Sequence, residues 1–140
     1  GSQAEVLECP SGGRTVAEAA ASIGVDEGQI AKSLLFMVGQ EPVLVVASGR
    51  YRVDTERLRQ LTGKKVRQAT VDEVRSVTGY PVGGVAPLGH TQQMRLLLDQ
   101  HLWDHVVIYA AAGTPQTAFA IAPDELQAIT GGECVDLVER

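Results

Sequence analysis

Lys32 stands inside an otherwise apolar run, Ile30-Ala31-Lys32-Ser33-Leu34-Leu35-Phe36-Met37-Val38. Such a run predicts a strand. Side chains alternate with period two, so Lys32 shares a face with Ile30, Leu34, Phe36 and Val38, while Ala31, Ser33, Leu35 and Met37 take the other. Neither face is polar. An unpaired ammonium held there costs several kcal/mol, the order of a domain's whole stability margin. Such a lysine is used in chemistry, paired, or extended so that its head reaches water. The second feature is Gly79-Tyr-Pro-Val-Gly-Gly-Val-Ala-Pro-Leu-Gly89, with four glycines and two prolines in eleven positions. No regular element survives that composition, so it must be a loop. Glycines let backbone amides approach a ligand, and consecutive amides can hold a phosphate or a developing oxyanion. A ligand-free surface connection is the alternative.

The third feature is charge. The chain carries a net −5, yet Arg50 to Arg67 holds Arg50, Arg52, Arg57, Arg59, Lys64, Lys65 and Arg67 against only Asp54 and Glu56. A basic segment in an acidic protein is a candidate phosphate-binding patch, or a solvated helix face that happens to be basic. His101 and His105 are spaced i, i+4 near Asp99 and Asp104, which on a helix would let two imidazoles share a metal. No third ligand follows at a convincing spacing, so no metal site is assigned. His90, just after the glycine loop, is a better site residue. No nucleophile signature is present: there is no Gly-x-Ser-x-Gly, and Ala31-Lys32-Ser33 lacks the glycines of a phosphate-binding loop. Chemistry would have to come from positioning, amide dipoles and a lysine charge.

Elements must position these groups. Thr15-x-x-Glu18 and Thr70-x-x-Glu73 predict helices from Val16 to Ile23 and from about Val71 to Gly79. Asp54 caps another that stops at Gly63, and Pro123-Asp124-Glu125 opens a last one ending at Gly131-Gly132. Strands are expected at 29–38, 42–48, 66–69, 94–98, 106–111 and 117–121, with an edge strand at 134–138. Hairpin-like neighbours are frequent, which favours a mixed sheet with helices around it over a doubly wound parallel sheet. Length and composition fit one domain, 3–140, with Gly1-Ser2 looking like a tag remnant. Hydrophobic residues at 44% and aromatics at 4% require an aliphatic core and argue against an unspecific single-strand binder. No apolar stretch reaches the ~20 residues needed to span a bilayer. Two distant cysteines, Cys9 and Cys134, suit a reduced cytoplasmic protein.

The order of these pieces resembles the YbaK/ProX family, free-standing relatives of the prolyl-tRNA synthetase editing domain. Four segments carry the resemblance, which runs from about Val6 to Val138: 15–20, 29–36 (Gln-Ile-Ala-Lys-Ser-Leu-Leu-Phe), 79–89, and 112–115 (Ala-Gly-Thr-Pro). It implies a central mixed, mostly antiparallel sheet surrounded by helices. It implies hydrolysis, in trans, of the ester of mischarged aminoacyl-tRNA carrying a small amino acid on tRNA-Pro, with no cofactor and possible cooperation with an aminoacyl-tRNA synthetase. A non-catalytic tRNA- or nucleotide-binding module of the same fold is the alternative. Lys32, Gly83 and Gly84 would be catalytic. Leu34, Val85, Ala86, Pro87, His90, Ala112, Gly113 and Thr114 would line the substrate pocket. The basic segment would guide the acceptor stem. Ala111-Ala112-Gly113-Thr114-Pro115 departs from the serine-glycine-rich stretch of several members, so no subgroup's substrate preference transfers.

Overall fold

A computed structural model describes residues 5–8, 15–80, 85–87, 94–112 and 117–139. Within them, β1 (Glu5–Glu8) is followed by α1 (Val16–Ile23), a 3₁₀ turn at Glu27–Gln29, β2 (Ile30–Val38), β3 (Glu41–Ser48), α2 (Thr55–Thr62), β4 (Val66–Gln68) and α3 (Val71–Thr78). Then come β5 (Arg95–Asp99), a 3₁₀ turn at Gln100–Asp104, β6 (Ile108–Ala111), β7 (Thr117–Ile121), α4 (Pro123–Thr130) and β8 (Glu133–Val135). The helix punctuation expected from sequence holds. Asp54 caps α2 through the Glu56 and Arg57 amides. Thr70 and Glu73 form a reciprocal capping box on α3. Each of the four helices ends at a glycine in the left-handed region, where a Cβ would be strained.

The eight strands form one sheet in the order β1-β7-β6-β2-β3-β5-β8, with β4 pairing β2 off that path. Four pairings are antiparallel, β1 with β7, β2 with β3, β2 with β4 and β6 with β7; β2 with β6, β3 with β5 and β5 with β8 are parallel. The sheet is therefore mixed and mostly antiparallel. β2 and β3 are joined by a two-residue turn in which Gly39 takes φ +63°. Their register pairs Ala31 with Ser48 through to Val38 with Glu41.

Alternation along β2 feeds two cores, one on each face. Ala31 and Leu35 join Leu44, Val46, Leu98, Ile108 and Phe119, closed by Val74 of α3 and Leu126 of α4. Phe36 and Val38 join Val43, Val45, Ala47 and Leu97, closed by Leu58 of α2 and by Leu137 and Val138. Helices thus cover both faces, and the branched aliphatic residues needed for a core poor in aromatics are the ones buried.

Two differences from sequence expectation stand out. Strand β1 pairs with β7 although its short run gave no clear strand signal. The segment holding His101 and His105 is a short 3₁₀ turn, not an α-helix, with His105 as its C-cap. The i, i+4 spacing therefore does not deliver the shared helical face that the metal pattern requires.

Candidate active site

β2 is paired with β3 along one edge from Ala31 to Val38. Its other edge is shared by two strands. β6 takes Ile30 and Ala31, and β4 takes Phe36 to Val38. Ala69, just past β4, donates its amide to the Leu35 carbonyl at 3.0 Å. Between them, residues 32–34 have no strand partner on that edge among the described residues. The opening is about 10 Å long at the rise of a strand. Lys32, Ser33 and Leu34 are the three residues that border it.

Backbone direction at the opening follows from two bonds. The Ile30 carbonyl accepts from Gly49 at the β3 side, at 2.6 Å, and the Leu35 carbonyl accepts from Ala69 at the β4 side. N–H and C=O of one strand residue point the same way and neighbours alternate. Even-numbered residues of β2 therefore address β3, and Ser33 turns its N–H and C=O into the opening. Its hydroxyl Oγ is buried and has no hydrogen-bond partner among the described residues.

Lys32 is partly buried, on the face shared with Leu34, Phe36 and Val38. Burial pushes its ammonium below the usual lysine value, and the positive charge of Arg52 pushes it the same way. No carboxylate pairs with Lys32 among the described residues. Arg52 is held in place by its neighbours. The Tyr51 ring lies 4.7 Å from the His101 ring. His101 Nδ1 lies 2.9 Å from Asp99 Oδ2, and the fully buried Asp99 also accepts from the amides of His101 and Leu137. The Arg52 carbonyl accepts from the Glu139 amide at 2.8 Å.

Leu34, expected as a pocket wall, packs against the core on Lys32's side. Val85 packs into the opposite core, and Ala86 and Pro87 are buried beside it in sequence. Ala112 also packs against that opposite core. Continuing the β2–β6 register from Ala31 and Ala110 brings Ala112 level with Ser33. Lys32 and the described part of the loop thus lie on opposite faces of the sheet. Gly83, Gly84, His90, Gly113 and Thr114 lie outside the described residues.

The basic segment is less cationic than its count. Arg50 pairs with Asp26. Arg57 pairs with Asp136 at 3.0 Å and Asp54 at 3.6 Å. Arg59 meets Glu56 at 3.6 Å. Arg67 grips Glu73 with two bonds of 2.7 and 2.8 Å, which hold the Glu73 carboxyl down to about 2. Arg52, Lys64 and Lys65 remain without an ion pair among the described residues. They are not one patch. The Lys65 carbonyl accepts from Gly39, just past Val38, six residues from Lys32, which is about 20 Å of strand.

Asp99, His101 and Asp136 bring three ligand-type atoms within 4.8 Å of one another. Both Asp99 oxygens are engaged by protein donors and Asp136 is held by Arg57. A guanidinium inside the set opposes a divalent cation, so the cluster pins the chain's C-terminal segment to β5 rather than forming a metal cradle.

Sequence reasoning did not single out Ser33 or Tyr51, and it named Asp99 and His101 only as metal-type ligands. Ser33 carried one signal, a hydroxyl in an apolar strand. Asp99 and His101 are joined locally, two residues apart, whereas Tyr51 reaches the His101 ring only through the fold.

Comparison with known proteins fits this geometry. A solved structure described as a candidate trans-editing enzyme for prolyl-tRNA synthetase superposes with a TM-score of 0.93 at 41% identity, covering 98% of this chain and 87% of that one. YwhH of Bacillus subtilis, whose function is not characterised, is 36% identical over 123 residues, 87% of this chain and 78% of its own. EbsC of Enterococcus faecalis, described as a candidate Cys-tRNA(Pro)/Cys-tRNA(Cys) deacylase, is 28% identical over 124 residues, 86% of this chain and 75% of its own. The aminoacyl-tRNA editing domain model matches residues 10–129. The chain belongs to the YbaK-like aminoacyl-tRNA editing domain family.

Proposed function

We propose that this protein is a trans-acting hydrolase that removes a small amino acid from a mischarged, tRNA-Pro-like aminoacyl-tRNA. The observation that carries this reading is Lys32, an ammonium kept partly buried at a break in sheet pairing, with its charge disfavoured by burial and by Arg52. A fold does not hold a costly cation beside open backbone groups without return.

In the proposed reaction, water adds to the ester carbonyl, the acyl C–O bond breaks, and the ribose oxygen leaves with a proton. The products are the free amino acid and uncharged tRNA. Lys32 and Arg52 offset the negative charge of the reacting ester or of the terminal phosphate. Amides of the Gly83–Pro87 loop hold the carbonyl and the terminal adenosine, and Ala112 to Thr114 close the small pocket. No side-chain nucleophile is needed. A pocket that selects by size discriminates by only ~1–3 kcal/mol per methylene, so rejection of the correct, larger amino acid is modest unless polar contacts add to it. Work in the cytoplasm beside a prolyl-tRNA synthetase follows from the same reading.

The test is a deacylation panel of Cys-, Ala- and Ser-tRNA(Pro) with Pro-tRNA(Pro) as control. Faster release from at least one mischarged species than from the control is expected. Saturable tRNA binding without turnover on any species would instead establish the non-catalytic module.

A further inference from the structure

We propose that His101 is a positioning residue for ester cleavage: its ring braces Tyr51 and, through Tyr51, fixes Arg52 on the face of the sheet that carries Lys32. The inference rests on the hydrolase reading above and adds to it a residue that acts through another.

Topology brings the parts together. β3 and β5 are parallel neighbours, with Val46 level with Leu98, so both strands finish at the same end of the sheet. The chain leaving β3 runs through Gly49 to Arg52, and the chain leaving β5 turns at Gln100–Asp104. Asp99 starts that turn by accepting from the His101 amide at 3.0 Å, and its Oδ2 lies 2.9 Å from His101 Nδ1. The imidazole is thereby held in one orientation against a carboxylate that is fully buried. Its ring meets the Tyr51 ring at 4.7 Å, tilted by 47°. A tilted pair at this separation is a favourable aromatic contact.

Arg52 is supported from both sides. Ahead of it, Tyr51 packs against the same core as Leu34, on Lys32's face. Behind it, Val53 is buried in that core and bridges to Val138. The Arg52 carbonyl accepts from the Glu139 amide, and the Leu137 carbonyl accepts from the Asp54 amide. The Leu137 amide in turn donates to Asp99 Oδ1 at 2.8 Å. One buried carboxylate therefore anchors both supports. Arg52 itself is exposed. An exposed arginine head without a carboxylate partner samples many rotamers. A fixed backbone and a fixed neighbouring ring limit where it reaches, and its charge is felt at Lys32. A charge lowers a barrier by being held in place before the reaction begins. Removing the His101 ring loosens Tyr51 without taking Arg52 or Lys32 away.

The experiment is a double-mutant cycle in kcat/KM, on the mischarged tRNA(Pro) that wild type cleaves fastest. Arg52→Ala is expected to lower kcat/KM about 10-fold, less than loss of a fully desolvated donor, because Arg52 is exposed. His101→Ala should lower it about fivefold, most of the Arg52 effect. The double variant should lie within roughly twofold of Arg52→Ala, because the ring acts only through the guanidinium. His101→Phe keeps a ring and should return to within about twofold of wild type. His101→Asn keeps only the bond to Asp99 and should stay as slow as His101→Ala. Circular dichroism checks that each variant is folded; if His101→Ala is not, His101→Asn takes its place in the cycle. Losses that multiply in the double variant, a His101→Ala value equal to wild type, or His101→Phe as slow as His101→Ala overturns the proposal. A second readout needs no turnover. Acetic anhydride at about pH 8 acylates the neutral amine of Lys32, followed by peptide mass spectrometry. Without the Arg52 charge beside it Lys32 is more protonated, so Arg52→Ala and His101→Ala should each slow this labelling about twofold, and the double variant no further. If no tRNA is hydrolysed yet labelling follows this pattern, the brace stands and the hydrolase falls. If tRNA is hydrolysed and the losses multiply, the hydrolase stands and the brace falls. Labelling unchanged by His101→Ala removes the brace whatever the turnover.

Discussion

Replacing Lys32 with methionine tests whether the ammonium is held against its own preference. Methionine keeps an unbranched apolar stem of similar reach, so packing against the Leu34 face survives. What disappears is the charge. Fully burying an ammonium costs several kcal/mol. Lys32 is only partly buried, so solvent screening reduces this to about 1 kcal/mol. Lys32→Met is therefore expected to be about 1 kcal/mol more stable than wild type at pH 7. The pH dependence fixes the mechanism. Burial and Arg52 lower the folded-state value of Lys32 below its unfolded value of ~10.4. The folded state then binds fewer protons than the unfolded state between those values, so wild-type stability rises with pH through that window. The penalty is fully present below the folded value and is relieved as pH climbs toward the unfolded one. The gain of Lys32→Met should accordingly be largest near neutrality and shrink toward pH 10. Urea midpoints across pH 7 to 10, with an unchanged denaturant slope, make the measurement. A variant less stable at pH 7, or a gain that grows with pH, would refute the reasoning, because either result means the ammonium is paired and stabilising.

Asp99→Ala removes three accepted bonds and leaves the buried Leu137 amide without its partner, so a loss of about 3–5 kcal/mol is expected in urea or thermal unfolding; a loss under 1 kcal/mol would mean Asp99 does not pin the C-terminal segment. Lys64→Ala/Lys65→Ala removes two cations without an ion pair among the described residues, so tRNA affinity should fall and the slope of log K against log salt should drop by about 1–2, measured by filter binding from 50 to 200 mM salt; an unchanged slope would place the acceptor stem elsewhere.

Much of the fold was legible because local chemistry agreed with it. Capping residues Thr15, Asp54 and Thr70 each start the helix their side chains predict. The aliphatic run around Lys32 is the strand expected, and period-two alternation separates its two faces into the two cores. What was not legible depends on contacts distant in sequence. Strand β1 is stabilised by its pairing with β7, over a hundred residues away. Among the described residues, β4 and β6 stop short of each other on the edge of β2 at Lys32, a matter of register that no local pattern encodes. The count of cations in the basic segment overstates its unpaired charge, since Asp26, Glu73 and Asp136 reach it from other elements. Lys32 was found because an ammonium among aliphatic neighbours is a conflict visible in one dimension. Ser33 was not, because a hydroxyl beside it became meaningful only when strand pairing left that hydroxyl alone.

The central claim is that a partly buried cation at the break in β2 drives ester cleavage. A positioned charge aimed at developing negative charge is worth about 3–4 kcal/mol. Single-turnover release of cysteine from Cys-tRNA(Pro), compared for wild type and Lys32→Ala, tests it most directly. The account predicts a rate 10²- to 10³-fold lower in the variant with tRNA affinity within threefold; equal rates for the two proteins would contradict it.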